Sequence, residues 1–155
     1  MYFSKMHSIG NDFVLVDNIN QKINLSKKKI RQLSDRNSGI GFDQIIIIMK
    51  SDNIKNSDFK IRIFNSDSSE AKQCVNGIRC VFQYLRLNNL IKKRVIRINT
   101  QYNTAYAFLI NKKLICVRIA PPKFEKIQKN TPNNHIFNQK SFNFLKKKLD
   151  TILFQ

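Results

Sequence analysis

Residues 45–49, Ile-Ile-Ile-Ile-Met, set five apolar side chains in a row between polar neighbours. Crossing a membrane as a helix takes about 20 such residues, so the run is far too short for that. It has the length of a strand, and an unbroken apolar strand has to be covered on both faces. The chain must therefore bury this segment completely.

The remaining pattern says what is available to cover it. "YFSKMH" at 2–7 and "DFVLVDN" at 12–18 read as strands separated by the turn-like "SIGN". "LSKKKIRQLSDR" reads as a helix with Ser26 as N-cap and Ile30 and Leu33 on one face. "NSGIGFD" supplies two glycines for a tight loop before the isoleucine strand. "DFKIRIFN" alternates Phe59, Ile61 and Ile63 with Lys60 and Arg62, the pattern of a half-buried strand, and "SDSSEAKQ" reads as a loop. From Cys74 to about Leu87, Cys74, Ile78, Val81, Phe82 and Leu85 trace one helical face. "RVIRINT", "TAYAFLI" and "KLICVRI" follow as strands, the last stopped by Pro121 and Pro122. The expectation is a mixed α/β domain, rich in strand, with one long helix. No linker or internal repeat divides it.

The net charge is +18 and the hydrophobic share 42%, so a core is affordable and the surface is strongly basic. The lysines are scattered in small groups, and no basic stripe alternates with aromatics as in a base-stacking platform. Lys, Asn, Ile and Phe are abundant, which is the drift expected of an A+T-rich genome. Non-specific affinity for polyanions follows from the charge, but specific nucleic-acid recognition is not expected. Three cysteines are too few for a disulfide framework and suit a reducing compartment. The N-terminal "MYFSKMHSIGNDF" lacks the features of a signal peptide, so the expected location is the cytoplasm.

Cys74 is the one residue whose placement suggests chemistry. An arbitrary cysteine on an apolar helix face is usually a small buried hydrophobe. In the first turn of a helix, however, free N–H groups and the positive dipole end favour a thiolate, and the same N–H groups bind carboxylates. Cys80 lies six residues on, about 9 Å along the helix axis and on another face. That is beyond disulfide reach, so it reads as core. Cys116, inside a strand, reads the same way. His7 and His135 show no metal-ligand spacing, and the glycine loops match no phosphate- or dinucleotide-binding pattern. Asn11, Gln44, Asn65 and Asn76 carry no signal taken singly.

Taken together, four segments do. "MHSIGNDFVLVDN", "DRNSGIGFDQIIII", "FKIRIFNSDSSEAKQCVNGIRC" and "RVIRINT" resemble, in order and spacing, the amino-terminal half of the diaminopimelate epimerase family. The resemblance runs from Phe3 to about Phe124, with a weaker echo at "TILFQ". It implies one lobe of a two-lobed fold, a mixed and mostly antiparallel sheet wrapped round a central helix that starts at about Cys74. That lobe would span 1–124, with 125–155 a divergent C-terminal segment. The implied activity is interconversion of LL- and meso-diaminopimelate, in lysine biosynthesis, by two thiols and without cofactor or metal. One thiol removes the α-proton and the other returns a proton to the opposite face. By this resemblance Cys74 is the first of those thiols. Asn76 belongs to the carboxylate and amine contact, and Asn11, Gln44 and Asn65 line the substrate pocket.

Two positions depart from the family. Val75 stands where the family has glycine after the cysteine, and Ser68 where it has glycine before "SE". The chain also ends near where the family crosses into its second lobe, so the expectation is a truncated enzyme, inactive alone. A second copy or a separately encoded lobe would have to supply the other thiol. The rival readings are an inactive structural relic and a basic nucleic-acid-binding module.

Overall fold

The computed structural model describes residues 1–110 and 114–121. The segment expected at 125–155, with His135 and "TILFQ", lies outside the described residues. Ten elements follow in chain order: β1 (Phe3–Ser8), β2 (Asn11–Asp17), α1 (Lys27–Ser34), β3 (Gln44–Lys50), β4 (Phe59–Asn65), β5 (Glu70–Ala71), α2 (Val75–Leu87), β6 (Val95–Asn99), β7 (Thr104–Ile110) and β8 (Leu114–Arg118). The strands form one sheet in the order β1-β2-β3-β4-β6-β7-β8, with β5 paired beside β4. The β2–β3 and β4–β6 pairs are parallel and the rest antiparallel.

The isoleucine strand is covered on both faces, as its composition demands. Ile46 and Ile48 point into a core formed with α2, through Ile78, Val81, Phe82 and Leu85. Ile45 and Ile47 point the other way, into a second core under α1 built round Ile30 and Phe42. Each fully buried isoleucine contributes about 1.5–3 kcal/mol relative to exposure. β2 behaves alike, with Phe13 and Leu15 towards α2 and Val14 and Val16 towards α1. Helix α2 packs against β1 and β2 at one end of the sheet and against β7 and β8 at the other. The sheet therefore curls round it, and α2 is the central helix of a mixed α/β lobe.

Local chemistry explains the connections. Ile9 and Gly10, at φ 52° and 77°, make the tight turn between β1 and β2. Ser26 caps α1, its side chain accepting from the Lys29 N–H. At the other end of α1, Asp35 accepts from the Asn37 and Ser38 N–H groups, and Ile40 and Gly41 return N–H bonds to the Leu33 carbonyl.

Three readings needed correction. The "SDSSEAKQ" segment is not loop throughout: Glu70–Ala71 pairs with β4, and Arg62 grips Glu70 through two bonds of 2.8 Å. β4 is not buried on one face alone, because Phe64 joins the α1-side core. Cys116 is half-buried on β8 rather than core, β8 lying at the end of the strand order.

Gly39 is the tightest backbone position in the α1 connection. A methyl group there would sit 2.3 Å from the Gln32 carbonyl oxygen and under 3 Å from those of Leu33 and Asp35. Backbone cannot yield as a side-chain tip does. Gly39→Ala is expected to cost about 3 kcal/mol, read as a lowered urea midpoint with unchanged slope.

Candidate active site

Cys74 is the N-cap of α2, with extended backbone at φ −147° and ψ 107°, and its Sγ accepts from the Gly77 N–H at 3.4 Å. The first N–H groups of a helix have no partner within it, and here the thiol sulfur takes one of them. Gly77 lets this end of the helix lie close on the sheet. A methyl group at Gly77 would sit 2.5 Å from Ile46 Cδ1 and 3.3 Å from Phe13 Cε1. The helix start is thus pressed on β2 and β3 one turn from Cys74.

The side-chain alternation of strands then decides what else faces Cys74. Asn11 lies two residues before Phe13, Gln44 two before Ile46, and Asn65 two after Ile63, and all three apolar partners belong to the α2-side core. Asn11, Gln44 and Asn65 accordingly share the α2 face at the sheet edge where α2 begins. Gln44 and Asn65 are direct partners in the β3–β4 register, and Gln44 Nε2 donates to Asn65 Oδ1 at 2.8 Å. Asn65 Nδ2 donates in turn to Ser69 Oγ at 2.9 Å. Asn11 Oδ1 and Gln44 Oε1 are buried and have no hydrogen-bond partner among the described residues. Asn76 sits in the first turn of α2, its Oδ1 accepting from Arg79 Nη1 at 2.7 Å, so its side-chain acceptor is already engaged. All five expected site residues fall at this end of the lobe.

Two features had escaped sequence reasoning. Gln73, directly before Cys74, also holds a buried polar atom, Nε2, without a partner among the described residues. Asp12 and Asp43, the chain neighbours of Asn11 and Gln44, are bridged by Arg36 on the opposite face. The Arg36 guanidinium holds the Asp12 carboxyl well below the usual carboxylate range; burial opposes the shift, and Lys5 and Asp43 add to it. A carboxyl depressed on folding adds stability above its unfolded value near 4 and loses it only as pH falls through the folded one. Asp12 and Arg36 therefore stay charged together throughout the neutral range.

The two glycine departures have different consequences. Val75 is the first residue of α2 and takes ordinary right-handed backbone, so valine keeps its N–H there without strain. Ser68 is held at φ 70°, in the left-handed region where a side chain is penalised. It is buried, and Arg31 Nε donates to its Oγ at 3.1 Å and to the Asp67 carbonyl at 3.0 Å.

A sheet curled round a central helix recurs in solved structures. The lobe overlays a phenazine biosynthesis protein of the PhzF family from Bacillus anthracis with a TM-score of 0.52 at 16% identity, covering 74% of this chain and 37% of that one. It overlays a hydroxyproline epimerase from Agrobacterium vitis with a TM-score of 0.53 at 14% identity, covering 70% and 37%. At such identities the likeness speaks for the fold alone. The family model for diaminopimelate epimerase matches residues 3–105. A diaminopimelate epimerase of Wigglesworthia glossinidia brevipalpis is 51% identical over 140 residues. The chain belongs to the diaminopimelate epimerase family. The match covers 90% of this chain and 50% of that relative, so the chain spans about half the length of the protein it matches.

Burial separates the two thiols of α2. Cys80 is 3% exposed, and burial, with Cys74 close by, pushes its thiol up to about 11 against a smaller opposing effect of Arg79. Cys74 is half-buried. Iodoacetamide at pH 8 is expected to label Cys74 in the folded chain and spare Cys80 until urea is added. Tryptic peptides divided at Arg79 report each site separately, and equal labelling of both would contradict this placement. At Ser68, left-handed backbone predicts an order of stabilities: Ser68→Gly should unfold at higher temperature than Ser68→Ala, by about 1 kcal/mol.

Proposed function

We propose that this chain supplies one thiol and half of the substrate pocket of a diaminopimelate epimerase. The observation that supports this most directly is the convergence of the Cys74 cap and the Asn11, Gln44 and Asn65 amides at one end of the lobe. Diaminopimelate carries two ammonium and two carboxylate groups, and neutral amides donate and accept without unbalancing them. The α-carboxylate lies against the free N–H groups at the start of α2, those of Val75 and Asn76 among them. As the α-proton leaves, negative charge spreads onto that carboxylate, and fixed N–H dipoles stabilise it without reorganising.

The step itself is a proton transfer. The Cys74 thiolate takes the α-hydrogen as a proton: the C–H bond breaks, an S–H bond forms, and the electron pair stays with the α-carbon and its carboxylate. A second thiol protonates the opposite face of the carbon. In the reverse direction Cys74 is the acid. The second thiol must come from outside this lobe, because Cys80 is buried and Cys116 lies on β8, at the other end of the sheet from β1 and β2. All three cysteines are free, as the chemistry requires, and a reducing cytoplasm keeps them so.

The test is deuterium wash-in at the α-carbon of diaminopimelate in D2O. The chain alone is expected to show no exchange. Mixed with, or joined to, the half of the Wigglesworthia relative that it does not cover, it should exchange, and Cys74→Ser should reduce the rate by about a thousandfold or more. Exchange untouched by Cys74→Ser would refute the assignment. Exchange by the chain alone, lost in Cys74→Ser, would show that Cys74 works without a second thiol, and conversion of LL- to meso-diaminopimelate by the chain alone would show that two copies supply both thiols.

A further inference from the structure

Upstream of Phe13 and Gln44 the parallel β2–β3 register stops, and between these two strands one backbone bond, from the Asp43 N–H to the Asp12 carbonyl, continues it. A reciprocal set of side-chain bonds joins it. The Asp12 N–H donates to Asp43 Oδ2 at 3.1 Å, and the Asp43 N–H donates to Asp12 Oδ1 at 2.8 Å and to the Asp12 carbonyl at 3.2 Å. Two carboxylates so close repel each other unless a cation lies between them. Arg36 does: Nη1 donates to Asp12 Oδ2 at 3.1 Å, and Nη2 donates to Asp12 Oδ1 at 3.0 Å and Asp43 Oδ1 at 2.9 Å. Lys5 adds an ion pair to Asp12 at 2.7 Å. Room for the Arg36 side chain depends on Gly41, at φ 69°, where a methyl group would lie 3.0 Å from Arg36 Cγ.

The clamped residues are the chain neighbours of Asn11 and Gln44, whose buried oxygens lack partners on the other face. We propose that Arg36 is a positioning residue: by bridging Asp12 and Asp43 behind the sheet, it sets the spacing of the Asn11 and Gln44 amides in front of it. The role of those amides towards a ligand rests on the reading under Proposed function. Arg36 is 60% exposed and Asp43 48%, and ion pairs this wet add little to stability. Loss of the bridge should therefore show in the pocket before it shows in the fold. Lysine keeps the charge but not the fork, so it cannot hold both carboxylates at once.

The experiment uses the full chain labelled with 15N. Arg36→Lys is expected to leave the unfolding midpoint within a few degrees and to move the side-chain amide signals of Asn11 and Gln44. Those of Asn88, beyond the far end of α2, should stay in place. Titrated with meso-diaminopimelate, the variant should bind at least fivefold more weakly than the unaltered chain. Unmoved Asn11 and Gln44 signals, or undiminished binding, would overturn the proposal. If the unaltered chain does not respond to diaminopimelate, half a pocket does not hold the ligand by itself, and the ligand-free signals of Arg36→Lys decide for or against the clamp; the functional reading stands or falls on the exchange test above. Should Arg36→Lys not fold, Asp43→Asn removes one of the bridged charges with little change of shape and must move the same two signals; their constancy would equally overturn it.

Discussion

The close approach of α2 to β2 and β3 at Gly77 governs the rest of the lobe. A helix glycine costs about 1 kcal/mol relative to alanine. Here it brings the helix start within contact of Ile46 and Phe13, where any side chain would hold it off. Both the core and the site depend on that contact. Ile78, Val81, Phe82 and Leu85 reach the sheet because the helix lies low, and the Cys74 cap comes down to the strand ends that carry Asn11, Gln44 and Asn65. A sheet curled round one helix has a single place where that helix's N-terminus meets strand ends, so fold and site share one origin.

Charge is distributed in keeping with this division. The α2 face presents amides, and the carboxylates adjacent to them in the chain are turned to the opposite face, where Arg36 and Lys5 neutralise them. Strand alternation makes this separation with no additional device: one residue forward along β2 or one back from β3 is the other side of the sheet. Buried acceptors without partners cost about 1–3 kcal/mol each. Asn11 and Gln44 each carry one, as does the Gln73 donor with the opposite sense. On the proposed reading, a ligand with both ammonium and carboxylate groups satisfies both kinds.

Periodicity made most of this fold legible. The isoleucine run, the alternation of β4 and the Cys74–Leu87 face each reflect a local rule that burial enforces, and Ser26 capped its helix as its side chain allows. The clamp was not legible, because its members lie 24 and 31 residues apart and meet only through the β2–β3 register. β5 was missed because two residues carry no period; it is held by Arg62 and Glu70 rather than by apolar pattern. Cys116 was misplaced because an apolar residue in a strand looks the same whether the strand is covered or lies at a sheet end. The site amides became legible only as a set, through the family resemblance, since no single asparagine in so asparagine-rich a chain stands out.

The two family glycines replaced here show why one motif position tolerates change more readily than its neighbour. At Val75 the backbone is already helical, so the position needs an N–H and a negative φ, and valine has both at modest rotameric cost. At Ser68 the backbone is left-handed, and no L-residue side chain is comfortable there. Serine offsets part of the strain by accepting a hydrogen bond from Arg31, which also fastens the Asp67 carbonyl and so the turn after Asn65. Ser34 Oγ donates to the Ser66 carbonyl in the same turn. Helix α1, on the far side of the sheet from Cys74, thereby holds the loop that follows Asn65, just as Arg36 beyond its C-terminus holds the residues beside Asn11 and Gln44. On the proposed reading, one helix presents the thiol, and the second helix with the segment after it holds the turns and strand ends that carry the amides.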